Sequence, residues 1–332
     1  PDPYVEFADV IFGDHGIVVQ DTDETIRYLV DENPRPQRIQ TTGWIRDIVT
    51  AEPEDGGDDV IHGDIGRDRI LGGNGDDVIS GDEDANVVFG DHGHLAYIDG
   101  ATDVTTLHLV ESVDYPLGGV DDITTGDEDD IVAGGAGGDI IDAGDGASVV
   151  FGDHGRVTGI EGAGPNRPID TLTPVDAFQI PTFALIETIN PATGPAGVEA
   201  GGTDVITTGT DRDIVFGGAA GDVIVANDGE FDATGAVVVP DGNNVVFGDY
   251  GFLDYVAHDP SPISLDLVAS RDEGFGGPDT ITNGTRNDFV FGVIGPDVIF
   301  ADTGENVVFG DHGRVTGLED GEFNRQVPSA PY

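Results

Sequence analysis

GGNGDDVISGDEDANVVFGDHG, residues 72–93, sets a polar residue every nine positions (Asp77, then Asn86), follows each with an apolar pair and a glycine, and stops on the phrase FGDHG. The same ruler runs outward in both directions. Before it stand Asp59 and Asp68, and after it come Asp121, Asp130, Asp139 and Ser148; Asp204, Asp213, Asp222 and, after thirteen extra residues, Asn244; and Asp279, Asp288, Asp297 and Asn306. Twelve of these sixteen slots hold Asp, three Asn and one Ser, so each carries a side-chain oxygen. Each block of four units closes on a near-identical phrase: NVVFGDHG, SVVFGDHG, NVVFGDYG, NVVFGDHG.

A nine-residue unit is too short to bury a face alone and must stack on its neighbours. Glycines supply the turns, and pairs such as Val60 and Ile61, Val78 and Ile79, Ile140 and Ile141, or Val298 and Ile299 supply strands of about three residues. Strands stack at about 4.8 Å, so each Asp lies directly above its equivalent in the preceding coil. At that spacing and an effective dielectric near ~20, neighbouring carboxylates repel by roughly 3 kcal/mol before screening, within the Debye length of about 8 Å. Such a column needs a cation. Ligands that are all oxygen select a hard ion, and carboxylates combined with flexible turn carbonyls favour calcium over magnesium.

GGNGDDVIS (72–80) and GGAGGDIID (134–142) resemble the GGxGxDxUx nonapeptide of the RTX, hemolysin-type calcium-binding repeats, and GDIGRDRIL (63–71), GGAAGDVIV (217–225) and GVIGPDVIF (292–300) are near copies. The resemblance implies an all-β chain of parallel β-roll (β-solenoid) blocks, two nonapeptides to an eighteen-residue coil, with calcium between turns on the same side. The pairs it implies are Asp59 with Asp77, Asp121 with Asp139, Asp204 with Asp222 and Asp279 with Asp297. On the opposite edge they are Asp68 with Asn86, Asp130 with Ser148, Asp213 with Asn244 across the insert at 230–242, and Asp288 with Asn306. One partner of each opposite-edge pair is neutral, which makes those sites weaker. Asp9 holds the slot later taken by Asn86 and joins the expected metal ligands.

The chain departs from an uninterrupted run. After FGDHG the next slot is lost to Leu95, Val157, Leu253 and Val315, and a longer segment follows. Within these inserts IRDIVTA (45–51), TLHLVES (106–112), FALIETI (183–189) and ISLDLVAS (263–270) read as strands. The expected organisation is the end of a repeat at 1–16, modules at 17–93, 94–155, 156–251 and 252–313 with rolls at about 57–93, 118–155, 201–251 and 276–313, and the start of another insert at 314–332. Partial units at both ends and the absence of Met fit a window from a much longer array. The apolar insert strands need a partner, which is either their own roll, the preferred reading, or a neighbouring copy in a head-to-tail filament.

Thirteen basic residues, all Arg, against sixty-five acidic ones give a net charge of −52. Nucleic acid and anionic membranes are excluded as partners at that charge, and no apolar run reaches the length of a membrane span. There is no Cys, so no disulfide holds the fold. Such charge favours disorder until cations bind. At ten times its dissociation constant an ion contributes about 1.4 kcal/mol, so eight would contribute on the order of 11 kcal/mol, a whole domain's stability. Extracellular calcium sites bind at roughly 0.1–1 mM, so folding is expected outside the cell, after type I secretion.

His15, His92, His154 and His312 share the FGDHG slot beside Asp14, Asp91, Asp153 and Asp311, but Tyr250 fills it in one copy. The slot therefore reads as structural rather than catalytic or metal-binding. The composite expectation is a non-enzymatic, calcium-folded structural array of a secreted bacterial adhesin, surface layer, matrix or filament, with a surface or polysaccharide ligand the sequence does not specify. The alternative is an accessory region of a secreted polysaccharide epimerase or lyase. Ice binding is disfavoured, because Thr124–Thr125, Thr207–Thr208 and the ITNG at 281–284 occur once per block rather than once per coil.

Overall fold

A computed structural model of the chain describes residues 9–20, 45–99, 105–159, 183–190, 201–231, 234–239, 241–258, 265–271 and 274–317. The described residues form strands and turns and no helix. Where the nonapeptides run the strands are three residues long (Val60–His62, Arg69–Leu71, Val78–Ser80, Val87–Phe89) or four (Val205–Thr208, Val223–Ala226, Thr280–Asn283). Strands one coil apart pair in parallel, Ile61 against Ile79 and Ile70 against Val88, so the coil is eighteen residues long as the period predicts. Each coil thus lends one strand to each of two parallel sheets.

The blocks do not end as separate rolls. Val78–Ser80 pairs with Asp122–Thr124 of the following block, and Val87–Phe89 with Ile131–Ala133. The same joins occur at Asp142 with Thr207, Phe151 with Phe216, Val225 with Thr282 and Phe247 with Phe291. One solenoid results, with an eight-stranded and a nine-stranded parallel sheet.

The inserts make a third, antiparallel sheet of nine strands. After each FGDHG the chain runs out (Gly16–Gln20, Gly93–Asp99, Gly155–Gly159, Gly251–Asp254, Arg314–Thr316), and it returns along Ile45–Thr50, Thr105–Ser112, Phe183–Thr188 and Leu267–Ser270. Of the four expected insert strands, three are present nearly as expected and the fourth (263–270) as Leu267–Ser270, its residues 263 and 264 lying outside the described residues; their described partners lie in the same chain. The outgoing strands are the part the nonapeptide ruler hid. The residues that take the lost Asp slot form one apolar row with those of the returning strands, Ile48–Leu95–Val110–Val157–Ile186–Leu253–Val268–Val315. The slot changes from Asp to an aliphatic residue because the chain has moved from a turn to a core position.

Side-chain alternation along a strand then sorts the layers. The middle residue of each three-residue strand (Ile61, Ile79, Val88, Val132, Val150, Val215) fills the core between the two parallel sheets. The first and third residues of the nine-stranded sheet (Val87 and Phe89, Val149 and Phe151, Ile214 and Phe216) pack on the hairpin sheet. That sheet is covered on both faces, the usual condition of a parallel sheet, whereas the eight-stranded sheet exposes Val60, Val78, Ile140, Val205, Val223 and Val298.

FGDHG is the corner between the roll and its hairpin. Its Phe joins a stack running from Phe151 through Phe216, Phe247 and Phe291 to Phe309, with centroids 4.5 to 5.1 Å apart. Its last glycine crosses that ring, and a Cβ on Gly93 would lie 2.5 Å from Phe89. At the slot between them the carbonyls of His15, His92, His154 and Tyr250 accept the N–H of Ala51, Val113, Ile189 and Arg271, closing each hairpin at its base. The backbone makes that bond, which is why Tyr serves as well as His. The rings of His92, His154 and Tyr250 are buried, and His154 packs against Tyr115 with centroids 5.1 Å apart.

Candidate metal centre

Two ladders of slot residues run the length of the solenoid, one on each edge. On the first edge the N–H of each Asp donates to Oδ1 of the Asp one coil on: Asp59 to Asp77, Asp77 to Asp121, Asp121 to Asp139, Asp139 to Asp204, Asp204 to Asp222, Asp222 to Asp279 and Asp279 to Asp297, at 2.7 to 3.1 Å. The second edge runs Asp9, Asp68, Asn86, Asp130, Ser148, Asp213, Asn244, Asp288, Asn306 by the same bond, at 2.6 to 3.1 Å. All sixteen expected ligands therefore lie on the ladders, and all eight expected pairs are neighbours, including Asp213 with Asn244 across the insert. The sequence did not show that the ladders also cross from block to block.

Oδ1 is spoken for along the first edge; Oδ2 is not. Oδ2 of Asp77, Asp121, Asp139, Asp204, Asp222, Asp279 and Asp297 is buried and meets no donor. What lies beside it is a glycine with room only for hydrogen. A Cβ on Gly72 would sit within 2.4 Å of both Asp77 Oδ2 and the Gly90 carbonyl oxygen; on Gly134, within 2.4 Å of Asp139 Oδ2 and Gly152 O; on Gly217, within 2.3 Å of Asp222 Oδ2 and Gly248 O. Gly90, Gly152 and Gly248 repeat the arrangement with Asp121, Asp204 and Asp279 and the next glycine carbonyl. Each coil thus gathers orphaned carboxylate oxygen and backbone carbonyl oxygen in a cradle kept open by glycine.

Burial, and after it like charge, moves these acids upward. Burial chiefly, opposed by the Asp59 N–H and reinforced by the Asp59 charge, lifts Asp77 to about 6. Burial and the charge of Asp139 raise Asp121 to about 8. Asp139, Asp222 and Asp279 rise to about 7, 8 and 7, again mainly through burial. A buried carboxylate column is tolerable only if protons or cations neutralise it. Among the described residues no three His, Asp or Glu side chains converge at one point, so an ion between coils would draw on backbone carbonyls as well as carboxylates. That mixture is what calcium accepts.

The second edge is built differently. Its Asn side chains are consumed locally, Nδ2 of Asn86 donating to the carbonyls of Gly81 and Asp84, and that of Asn244 to Ala226 O and Asp241 Oδ2. Asp213 Oδ2 accepts the Thr208 hydroxyl at 2.6 Å. Asp68, Asp130 and Asp288 keep an unpartnered Oδ2, yet each ladder neighbour they bond through Oδ1 or N–H, apart from Asp9, is Asn or Ser.

The family of RTX calcium-binding nonapeptide repeats (4 copies) matches residues 55–91, 115–150, 200–230 and 282–314. The rolls of this chain are RTX calcium-binding repeats. No curated protein and no solved structure matches the chain. Each RTX match contains first-edge cradle residues, and the third stops at residue 230, where the insert begins.

Reading the FGDHG aspartates only as partners of His missed their role. Asp91 accepts the N–H groups of Gly119 (3.0 Å) and Ala136, from two successive first-edge turns. Asp14 does so with Gly57 and Asn74, Asp153 with Gly202 and Ala219, and Asp249 with Gly277 and Ile294. Burial and the charges of Asp121 and Asp279 push Asp91 to about 10 and Asp249 to about 9. The signal available in the sequence was an Asp retained in all five copies of the phrase.

Proposed function

We propose that this chain is a calcium-folded structural array of a large protein that works outside the cell, as part of an adhesin, surface layer, matrix or filament. The observation that carries the reading is the first-edge ladder, which passes through all four blocks with a carboxylate oxygen left unbonded beside a glycine carbonyl at nearly every step. Asp59, Asp77, Asp121, Asp139, Asp204, Asp222, Asp279 and Asp297 supply charge, the turn glycines supply carbonyls, and the bound ion cancels the repulsion that would otherwise separate the coils. Repetition of one device, rather than one singular site, supports a mechanical role. On this reading the array turns over no substrate, and assays on alginate or pectin are expected to give no product.

The decisive measurement is a calcium titration of the whole chain followed by circular dichroism and calorimetry. The β signal and a cooperative melt are expected to appear between roughly 0.1 and 1 mM calcium, the range of extracellular sites, and to vanish with EGTA. A melt unchanged by the chelator at neutral pH would defeat the proposal.

A further inference from the structure

The third block breaks the ruler after Ala226, and the residues responsible carry chemistry of their own. The insert at 230–242 folds back on itself, Phe231 bridging Val237 and Val238 N–H donating to Glu230 O at 2.7 Å. A carboxylate therefore stands at each foot of the loop, Glu230 and Asp241, and both are buried, at 0 and 3 % exposure. They lie on the second edge of the roll, beside the slot residues Asp213, Asn244 and Asp288.

Both feet are turned toward the same turn of the next block, Asn283–Gly284–Thr285. Glu230 Oε1 accepts the Thr285 N–H at 3.2 Å, the Thr285 hydroxyl, and the Asp241 N–H at 3.4 Å. Asp241 Oδ1 accepts from Gly242 N–H at 2.6 Å and Oδ2 from Asn244 Nδ2 at 2.8 Å, and Oδ2 lies so close to Gly284 that a Cβ there would stand 2.2 Å away. Arg286 directs its Nε to the carbonyl of Asp241 at 3.2 Å, not to its carboxylate. Glu230 Oε2 remains, buried and without a hydrogen-bond partner. An acid taken wholly out of water with one oxygen unbonded, beside a second buried acid, is tolerable only with a proton or a cation to neutralise it.

We propose that Glu230 and Asp241 form a separate site for a hard divalent cation, calcium foremost, which pins the insert to the turn of the following block. The two carboxylates supply the charge, and hydroxyl, carbonyl and water oxygens complete an all-oxygen shell of the kind hard cations take. The site lies outside the nonapeptide cradles and on the opposite edge, so it stands or falls independently of the first-edge ladder.

Two measurements on the full chain test it. In a crystal grown with calcium, anomalous scattering is expected to place an ion bonded to Glu230 Oε2 and an Asp241 oxygen, in addition to ions along the first edge. Ions on the first edge with none at Glu230 would overturn this site and leave the proposed function intact; an ion at Glu230 with none on the first edge would do the reverse. In solution, equilibrium dialysis of the Glu230→Gln, Asp241→Asn double variant is expected to show one calcium fewer per chain than the wild type, while Asp139→Asn with Asp204→Asn retains that ion and loses others. An unchanged count in the first variant would overturn the site. The crystallographic arm uses the wild-type chain and so does not depend on the variant's folding.

Discussion

The two edges of the roll are made from the same nine-residue unit and share one backbone bond, N–H to the slot oxygen of the next coil. They differ in what is left over. On the first edge every slot is Asp and the turn before it carries glycines packed against carboxylate and carbonyl oxygens. On the second, neutral slots intervene and their amides are spent on nearby turn carbonyls. The lesson is that stacking and ion binding are separable. The backbone ladder closes either edge. On the proposed reading it is uniform charge with open turns that makes the first edge depend on cations along its whole length, whereas the second has isolated acids such as Asp68, beside Gly63 and the Gly81 carbonyl.

Removing the ion from the whole first edge should have the largest effect. With sites that each contribute about 1.4 kcal/mol at ten times their dissociation constant, chelation is expected to remove on the order of 10 kcal/mol and leave no cooperative melt. Substituting Asp139→Asn and Asp204→Asn, adjacent rungs at the centre, should cost about 1–3 kcal/mol in calcium by the same reckoning and raise the calcium midpoint of folding. Asn86→Ala on the second edge removes its bonds to the Asp68 N–H and to the Gly81 and Asp84 carbonyls. It should cost about 1–3 kcal/mol, the penalty of a buried donor left unpaired, with the midpoint moved much less than by loss of the two first-edge carboxylates. Equal shifts in midpoint for the two edges would erase the distinction.

Acidity sharpens the same contrast. The first-edge acids have folded-state values raised to about 6 for Asp77, about 7 for Asp139 and Asp279, and about 8 for Asp121 and Asp222, against an ordinary 3.8. The folded chain without calcium therefore binds more protons than the unfolded one, so its stability is fully present below about pH 4 and is lost as pH rises toward 8. In EGTA the β signal is expected at pH 4 and absent at pH 8. With calcium it should persist at pH 8, the ion taking the place of the protons. Circular dichroism at both pH values, with and without calcium, checks all four states.

The period of nine made the roll, its short strands and seven of the eight ladder pairs legible, because stacking repeats i over i+18. The eighth, Asp213 with Asn244, spans 31 positions across the insert and is legible from the NVVFGDYG phrase beyond it. Continuity between blocks was not legible. Asp77 meets Asp121, Asp139 meets Asp204 and Asp222 meets Asp279 across separations of 44, 65 and 57 residues, and an insert of arbitrary length conceals such a neighbour. The role of Leu95, Val157 and Leu253 was hidden for a related reason: they mark the loss of the slot in sequence, and only the third sheet shows that they are core residues of the outgoing strands. Glu230 and Asp241 carry no period at all, and their meeting depends on the fold of one loop.

The hairpin sheet offers the smallest effect and the cleanest control. A row of cross-strand charges crosses its outer face: His94 lies 3.1 Å from Glu111 and 3.3 Å from Asp47, Arg156 bonds Glu111 at 2.9 Å and Glu187 at 3.2 Å, and Arg271 reaches Glu187 as well. Here Arg156 and Arg271 pair with Glu111 and Glu187 within the protein, so these carboxylates ask nothing of calcium. The Arg156 side chain is about a third exposed, and partly solvated pairs are worth about 0.2–1 kcal/mol and weaken with salt. Arg156→Gln is therefore expected to lower the melting temperature in calcium slightly, less so in 0.5 M salt than in low salt, and to leave the calcium midpoint where it was. A shift of that midpoint comparable with the Asp139→Asn, Asp204→Asn variant would mean that the hairpin layer and the first edge fold as one calcium-dependent unit, and the separation between self-neutralised and cation-neutralised regions would fail.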